Sequence, residues 1–176
     1  MSPDCQIRSL EAADAELLSA AFSQIGWHKP ASLFQRYVEE QEAGTRSGFV
    51  AELPDGIAGY VSILWQPPYR PFRDAGTPEI SDLNVLPSLQ RRGIGSALLD
   101  AAEAQCATVS AVAGIGVGLT GDYGAAQALY ARRGYVPDGR GVHDGGEPLS
   151  IGDRLTVSDD LVLYLTKQLQ VPRDKD

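Results

Sequence analysis

The stretch Gln90-Arg91-Arg92-Gly93-Ile94-Gly95 combines the residue types that hold a phosphate. Two glycines at the start of a helix let a ligand approach the backbone closely. The unpaired N–H groups and the dipole of a helix N-terminus favour an anion. Two arginines add charge and forked donors suited to phosphate oxygens. From chemistry alone this is a cradle for a pyrophosphate. Upstream stand two carboxylates, Glu79 and Asp82, and downstream stands Tyr130. A carboxylate can accept a proton, and a phenol, with a reference pKa near about 10, can donate one at neutral pH. By spacing alone, Tyr130 reads as a core tyrosine on a buried helix face, and either carboxylate reads equally as a chemical group or as a capping or paired surface group.

The elements that must position these groups follow from apolar periodicity. Ile80 to Leu86 is rich in branched apolar residues and reads as a strand, ended by Pro87, which lacks the N–H a ladder needs. From Ile94 the period changes. Ile94, Ala97, Leu98, Ala101 and Ala102 lie on one face of a helix. Strand alternation puts Glu79 and Asp82 on opposite faces unless a bulge intervenes. Val109 to Thr120 contains another strand, in which Gly114, Gly116 and Gly118 leave one face as bare backbone. That face admits either close packing or a ligand. Tyr123 to Arg133 reads as a helix carrying Ala126, Leu129, Tyr130 and Arg133, stopped by Gly134.

Around this centre the remaining chain supplies strands and helices. Residues 5 to 8 read as a short strand. Residues 10 to 25 read as a helix with Leu17, Leu18, Ala21, Phe22 and Ile25 at helical spacing. Pro30 opens a second helix with Leu33, Phe34, Tyr37 and Val38 on one face, ending near Gly44. Gly48 to Leu53 and Ile57 to Trp65 form a hairpin across Pro54-Asp55-Gly56. The proline-rich stretch 66 to 78 and the Gly- and Asp-rich stretch 137 to 159 read as loops, and such long loops are often functional. Tyr135-Val136 begins a strand, and Leu161 to Leu165 is a buried one. Residues 172 to 176 read as a frayed tail. The order is β-α-α-β-β-β-α-β-α-β-β in a single domain covering residues 1–176.

The pattern Val85-x-Pro87-x-x-Gln90-x-x-Gly93-x-Gly95 resembles motif A of the GCN5-related N-acetyltransferase (GNAT) family. Ala128-Leu129-Tyr130-Ala131-Arg132-Arg133-Gly134-Tyr135 resembles its second signature, a tyrosine four residues before Gly-aromatic. The element order is also that of the family. The resemblance implies an α/β (α+β) fold with a single mixed, largely antiparallel central sheet flanked by helices. It implies acetyl-CoA-dependent transfer of an acetyl group to a primary amine, by direct attack in a ternary complex.

The resemblance also distributes roles. Leu83 and Val85 would pair with pantetheine through main-chain groups, with the Val85 N–H as oxyanion donor. Gln90, Arg91, Arg92, Gly93, Ile94, Gly95 and Ser96 would hold the pyrophosphate. Tyr130 would protonate the departing thiolate. Glu79 or Asp82 would serve as base, with Glu79 favoured, unless a water chain takes that part; Asp82 could instead hold a cationic acceptor. Tyr123 stands where the family often has a pantetheine-binding Asn. Trp27, Tyr69 and Phe72, in irregular segments, are candidate acceptor contacts through apolar or cation–π interaction, or ordinary packing residues. The acceptor is a small-molecule or peptide amine, and homodimers are common in the family.

Composition excludes several classes. The chain has 176 residues, 43% of them hydrophobic, which is enough for a full core and is not the composition of a disordered chain. A formal net charge of −8 argues against non-specific nucleic-acid binding. No apolar run reaches membrane-span length, and no secretory leader is evident. Cys5 and Cys106 form no CxxC and fit a reducing cytoplasm. With His28 and His143 they show no metal-ligand spacing, so no metal is expected. Two rival readings remain. One is a non-catalytic acyl-CoA-binding module on the same fold. The other is a dinucleotide-binding enzyme, since Gly116-x-Gly118-x-x-Gly121 fits that fingerprint.

Overall fold

The computed structural model describes residues 5–170. In order, the chain forms β1 (Gln6–Ser9), α1 (Asp14–Ser23), α2 (Ala31–Glu42), β2 (Arg46–Leu53), β3 (Gly56–Leu64), α3 (Arg70–Asp74), β4 (Glu79–Val85), α4 (Ile94–Cys106), β5 (Val112–Gly118), α5 (Gly124–Arg132), β6 (Val136–Asp144), β7 (Glu147–Pro148) and β8 (Leu161–Gln168). Short 3-10 turns precede α4 at Pro87–Leu89 and α5 at Gly121–Tyr123. The strands are largely antiparallel and helices flank them, an α+β architecture. The expected tail at 172 to 176 lies outside the described residues.

Two units emerge from the contacts: residues up to Trp65 with Ile80–Gln105, and Gln66–Glu79 with the residues from Cys106 onward. In the first, β1-β2-β3-β4 are neighbours in that order, and β2 and β3 form the expected antiparallel hairpin. Its core joins Leu10, Ala15, Leu18 and Phe22 to Phe34, Tyr37, Val50, Ile57 and Tyr60. Leu17 and Ile25, expected on the buried face of α1, are 56% and 38% exposed. The helix starts later than its periodicity suggested, and Ala15, Leu18 and Phe22 set the inward stripe. Gly59 on β3 lies so close beneath β4 that a Cβ there would strike the Asn84 carbonyl oxygen. On α4, Ile94, Ala97, Leu98, Leu99 and Ala102 are buried as the helical period requires.

In the second unit the strand order is β5-β8-β6-β7, all paired antiparallel. Two segments read as loops are partly regular. Pro71 falls in the first turn of α3, where its missing N–H costs nothing, so the proline-rich stretch carries a helix. The Gly-rich stretch after Tyr135 contains β6 and β7, with the β6–β8 register shifted between Pro137 and Val142. Gly139 and Gly141 adopt φ of 86° and 78° inside that irregularity. Such a bulge breaks the two-residue period that marks a strand in sequence. The bare face of β5 is filled by the chain itself. A Cβ at Gly114 would enter the Phe72 ring, one at Gly116 would meet Val162 and Tyr164, and one at Gly118 would enter the Tyr123 ring.

Candidate active site

In the first unit, β4 passes through the 3-10 turn into the cradle and on to α4. The Pro87–Leu89 turn is closed by Leu89 N donating to the Leu86 carbonyl at 2.8 Å. Arg91 and Gly93 take left-handed φ values of 62° and 83°. Glycine adopts such a value freely, whereas an arginine there is strained. The Gly93 carbonyl accepts from Ala97 N at 3.0 Å, so helical bonding begins at Gly93. Gln90, Arg91, Arg92 and Gly93 are exposed, while Ile94 is buried and anchors the helix start. Gln90 uses its amide to brace the loop, donating to the Val85 carbonyl at 3.1 Å. An exposed left-handed turn with two arginines, feeding first-turn N–H groups, has the donor chemistry a diphosphate requires.

Asp82 breaks the alternation of β4. Its φ is 54°, a left-handed value inside a strand, so the two-residue rule fails there. Asp tolerates this conformation better than most residues, and local contacts hold it. The Tyr60 and Tyr37 hydroxyls donate to Oδ2 at 2.7 and 3.0 Å. The Asn84 amide donates to Oδ1 at 2.7 Å, and Lys29 Nζ lies 3.3 Å from the same oxygen. Burial, then the charge of Asp82, pushes the Tyr37 and Tyr60 hydroxyls well above the usual phenol range. They remain protonated donors to that carboxylate.

The second unit holds Tyr130 and Glu79. Tyr130 is buried at the end of α5, where the chain closes a Schellman turn. Tyr135 N donates to the Tyr130 carbonyl and Gly134 N to the Ala131 carbonyl, each at 3.1 Å, with Gly134 at φ 87°. The Tyr130 and Tyr135 rings meet at 5.9 Å between centroids. The signature of a tyrosine four residues before Gly-aromatic is therefore a helix stop: glycine supplies the left-handed residue, and the second ring packs on the first.

Glu79 is 8% exposed, and its Oε2 is buried with no hydrogen-bond partner among the described residues. Burial pushes its pKa up to about 7. Tyr164 feels its charge: burial first, then Glu79 and Asp138, push that phenol up to about 12. Tyr164 stacks on Tyr69 at 3.6 Å, and both rings meet His143 edge-on. The Tyr69 hydroxyl donates to Asp138 at 2.7 Å.

The candidate acceptor contacts divide. Trp27 is 40% exposed and stacks on Phe22. Tyr69 and Phe72 are 2% and 3% exposed and pack in a cluster with Tyr164. Tyr123 sits in the 3-10 turn with its ring over Gly118. The glycines of the rival dinucleotide fingerprint thus accommodate the chain's own side chains at Gly116 and Gly118. Sequence reasoning did not associate Tyr37, Tyr60 and Asn84 with Asp82, or Tyr164 with Glu79. No spacing links residues brought together from separate elements. Among the described residues, no cluster of His, Cys, Asp or Glu could hold a metal ion, and no helix is long and apolar enough to cross a membrane.

Residues 13–135 match the sequence model of the acetyltransferase (GNAT) family, and the chain belongs to that family. The match runs through residues of both units. No curated protein matches the sequence. Solved structures share the fold. A Salmonella typhimurium acetyltransferase that modifies the N-terminal serine of ribosomal protein L7/L12 is 14% identical, with a TM-score of 0.71 over 96% of this chain and 97% of its own. A ribosomal-protein-alanine N-acetyltransferase from Brucella melitensis is 20% identical, with a TM-score of 0.68 over 93% of this chain and 99% of its own. Another Salmonella typhimurium protein, solved with its cofactor acetyl-CoA, is 19% identical, with a TM-score of 0.67 over 98% of each chain.

Proposed function

We propose that this chain is a single acetyltransferase domain that moves the acetyl group of acetyl-CoA to a primary amine by direct attack. The observation that carries this reading is the exposed turn Gln90–Gly93 at the start of α4, inside the family match. Acetyl-CoA supplies the activated thioester; Arg91, Arg92, Gly93 and the first-turn N–H groups through Ile94, Gly95 and Ser96 bind its diphosphate. Main-chain groups of Leu83 and Val85 align the pantetheine arm, and the Val85 N–H donates to the oxyanion. Gln90 braces the turn beside the diphosphate through its bond to the Val85 carbonyl.

Glu79 is the better base of the two carboxylates. A base must exchange a proton near working pH, and a carboxyl titrating at about 7 does so. The Asp82 oxygens already accept from two phenols, an amide and an ammonium. Tyr130 donates the proton to the departing thiolate. The acceptor is a small-molecule or protein amine, the range that the names of the structural neighbours span. Cys5 and Cys106 are buried and neither is in a disulfide, which suits a reducing compartment.

Tyr130→Phe tests the enzyme against the binding module. The substitution keeps the ring in its Schellman packing and removes the hydroxyl. Coenzyme A affinity should stay within about threefold, while kcat in a thiol-release assay over an amine panel should fall by roughly 10²-fold or more. The high-pH limb of kcat should flatten, because no phenol remains to ionise. Wild-type turnover in this variant would return Tyr130 to a core role. No thiol release from the wild type with any amine would favour the binding module.

A further inference from the structure

Lys29 presents an alkylammonium to a site with the chemistry that recognises one. Its Nζ lies 3.3 Å from Asp82 Oδ1 and 5.5 Å from the centroid of the Tyr60 ring. A carboxylate and an aromatic face together bind a primary ammonium through an ion pair and a cation–π contact. The anionic side of this site does not depend on Lys29. The phenols of Tyr37 and Tyr60 and the amide of Asn84 fix the carboxylate at 3.0, 2.7 and 2.7 Å. Lys29 makes the longest of these contacts and comes from residues 27–30, an irregular segment between α1 and α2 that follows Gly26 at φ 78°. Its side chain and that of Asp82 are 20% and 21% exposed, so solvent reaches the pair. The backbone also holds Asp82 at a left-handed φ that is costly inside a strand, and this gives its carboxylate its present setting.

We propose that Asp82, Tyr60, Tyr37 and Asn84 form an ammonium subsite, that Lys29 is its displaceable resident, and that acceptors carry a primary alkylammonium in addition to the amine that is acetylated. The word acceptor rests on the acetyltransferase reading given above; the ammonium site does not. An acceptor of this class competes with Lys29 for Asp82. Removing the lysine side chain leaves the Asp82 carboxyl and the Tyr60 ring face without the ammonium beside them.

The test has a binding arm and a kinetic arm. In the first, n-butylammonium chloride is titrated into wild type, Lys29→Ala and the Lys29→Ala/Asp82→Asn double variant, followed by calorimetry and thermal shift, with n-butanol as the uncharged control. Lys29→Ser replaces Lys29→Ala should the latter not fold. Saturable binding of n-butylammonium to the single variant, at least about tenfold tighter than to wild type and lost in the double variant, is expected. No binding to the single variant, equal binding to the double variant, or equal binding of n-butanol would overturn the site. In the second arm, thiol release is measured with 1,5-diaminopentane and n-pentylamine. Lys29→Ala should lower KM for the diamine by about tenfold and leave KM for acetyl-CoA unchanged, while n-pentylamine, which can fill the subsite only non-productively, should show no rise in kcat/KM. An unchanged diamine KM beside successful butylammonium binding would overturn the acceptor assignment. Successful binding with no thiol released from any amine would uphold the ammonium site and count against the acetyltransferase reading instead.

Discussion

Asp82 and Glu79 share strand β4, with only Ile80 and Ser81 between them, and the two regions around them treat a carboxyl group in opposite ways. Around Asp82, two phenols, an amide and an ammonium converge on the oxygens. Around Glu79 the fold supplies burial and no hydrogen bond to Oε2. For Glu79, desolvation favours the neutral form. Asp82 is therefore held by donors from other elements, a setting suited to binding a cation, and Glu79 is a titrating group, suited to moving a proton. Identity and position on a strand do not distinguish these roles; the surrounding elements do.

The comparison makes unequal predictions for three sites. The largest effect belongs to neither carboxylate. Arg91→Glu and Gly93→Glu each place a negative charge against the diphosphate, and calorimetry on the folded variants should show coenzyme A binding abolished. Glu79→Gln and Asp82→Asn should leave that affinity near the wild-type value. A cradle-sized loss from either would break the separation between cofactor binding and carboxylate function.

Glu79→Gln comes next. It should lower kcat by on the order of 10²-fold and remove the rise of kcat with pH near 7. The same substitution should stabilise the fold at high pH. The folded pKa is about 7 against a reference of 4.5, so the ionised form is disfavoured on folding. Below the reference value the carboxyl is protonated in folded and unfolded chains alike, and the substitution is neutral. The penalty grows from there and is complete above the folded value, so urea unfolding at pH 8.5 should show Glu79→Gln more stable by up to about 3 kcal/mol. Equal stability of the two proteins at pH 8.5 would mean that Glu79 is hydrated or paired.

The smallest effect sharpens the other half. Asp82→Asn should destabilise the fold by about 1–3 kcal/mol at neutral pH, because two buried phenols and Lys29 lose an ionised acceptor. The partial exposure of the Lys29–Asp82 pair keeps the cost toward the lower end. Its kcat should remain within about tenfold of wild type if Glu79 carries the base role. A kcat loss as large as that of Glu79→Gln would reverse the assignment.

The parts of this molecule that were legible beforehand are those built from neighbouring residues. Pro87 ending β4, the left-handed Gly93 opening α4 and the Tyr130-to-Tyr135 stop all close through short-range bonds, so residue type and spacing carry them. The hairpin across Pro54-Asp55-Gly56 is of the same kind. The segments misread as loops failed on local exceptions. Pro71 is tolerated because it falls in a helix's first turn, and Gly139 and Gly141 bend β6 out of its period.

What tertiary structure alone decided is the character of the chemical groups. Lys29 comes from the segment before α2, Tyr37 from α2 and Tyr60 from β3, and together they surround the Asp82 carboxyl with two phenols and an ammonium. Burial pushes the Glu79 pKa up to about 7, and it gathers Tyr69 and Phe72 into a packed cluster with Tyr164. Spacing determines which groups lie on one element. Protonation, solvent access and partners depend on what other elements deliver to that place, and distant residues reach it only when the chain folds.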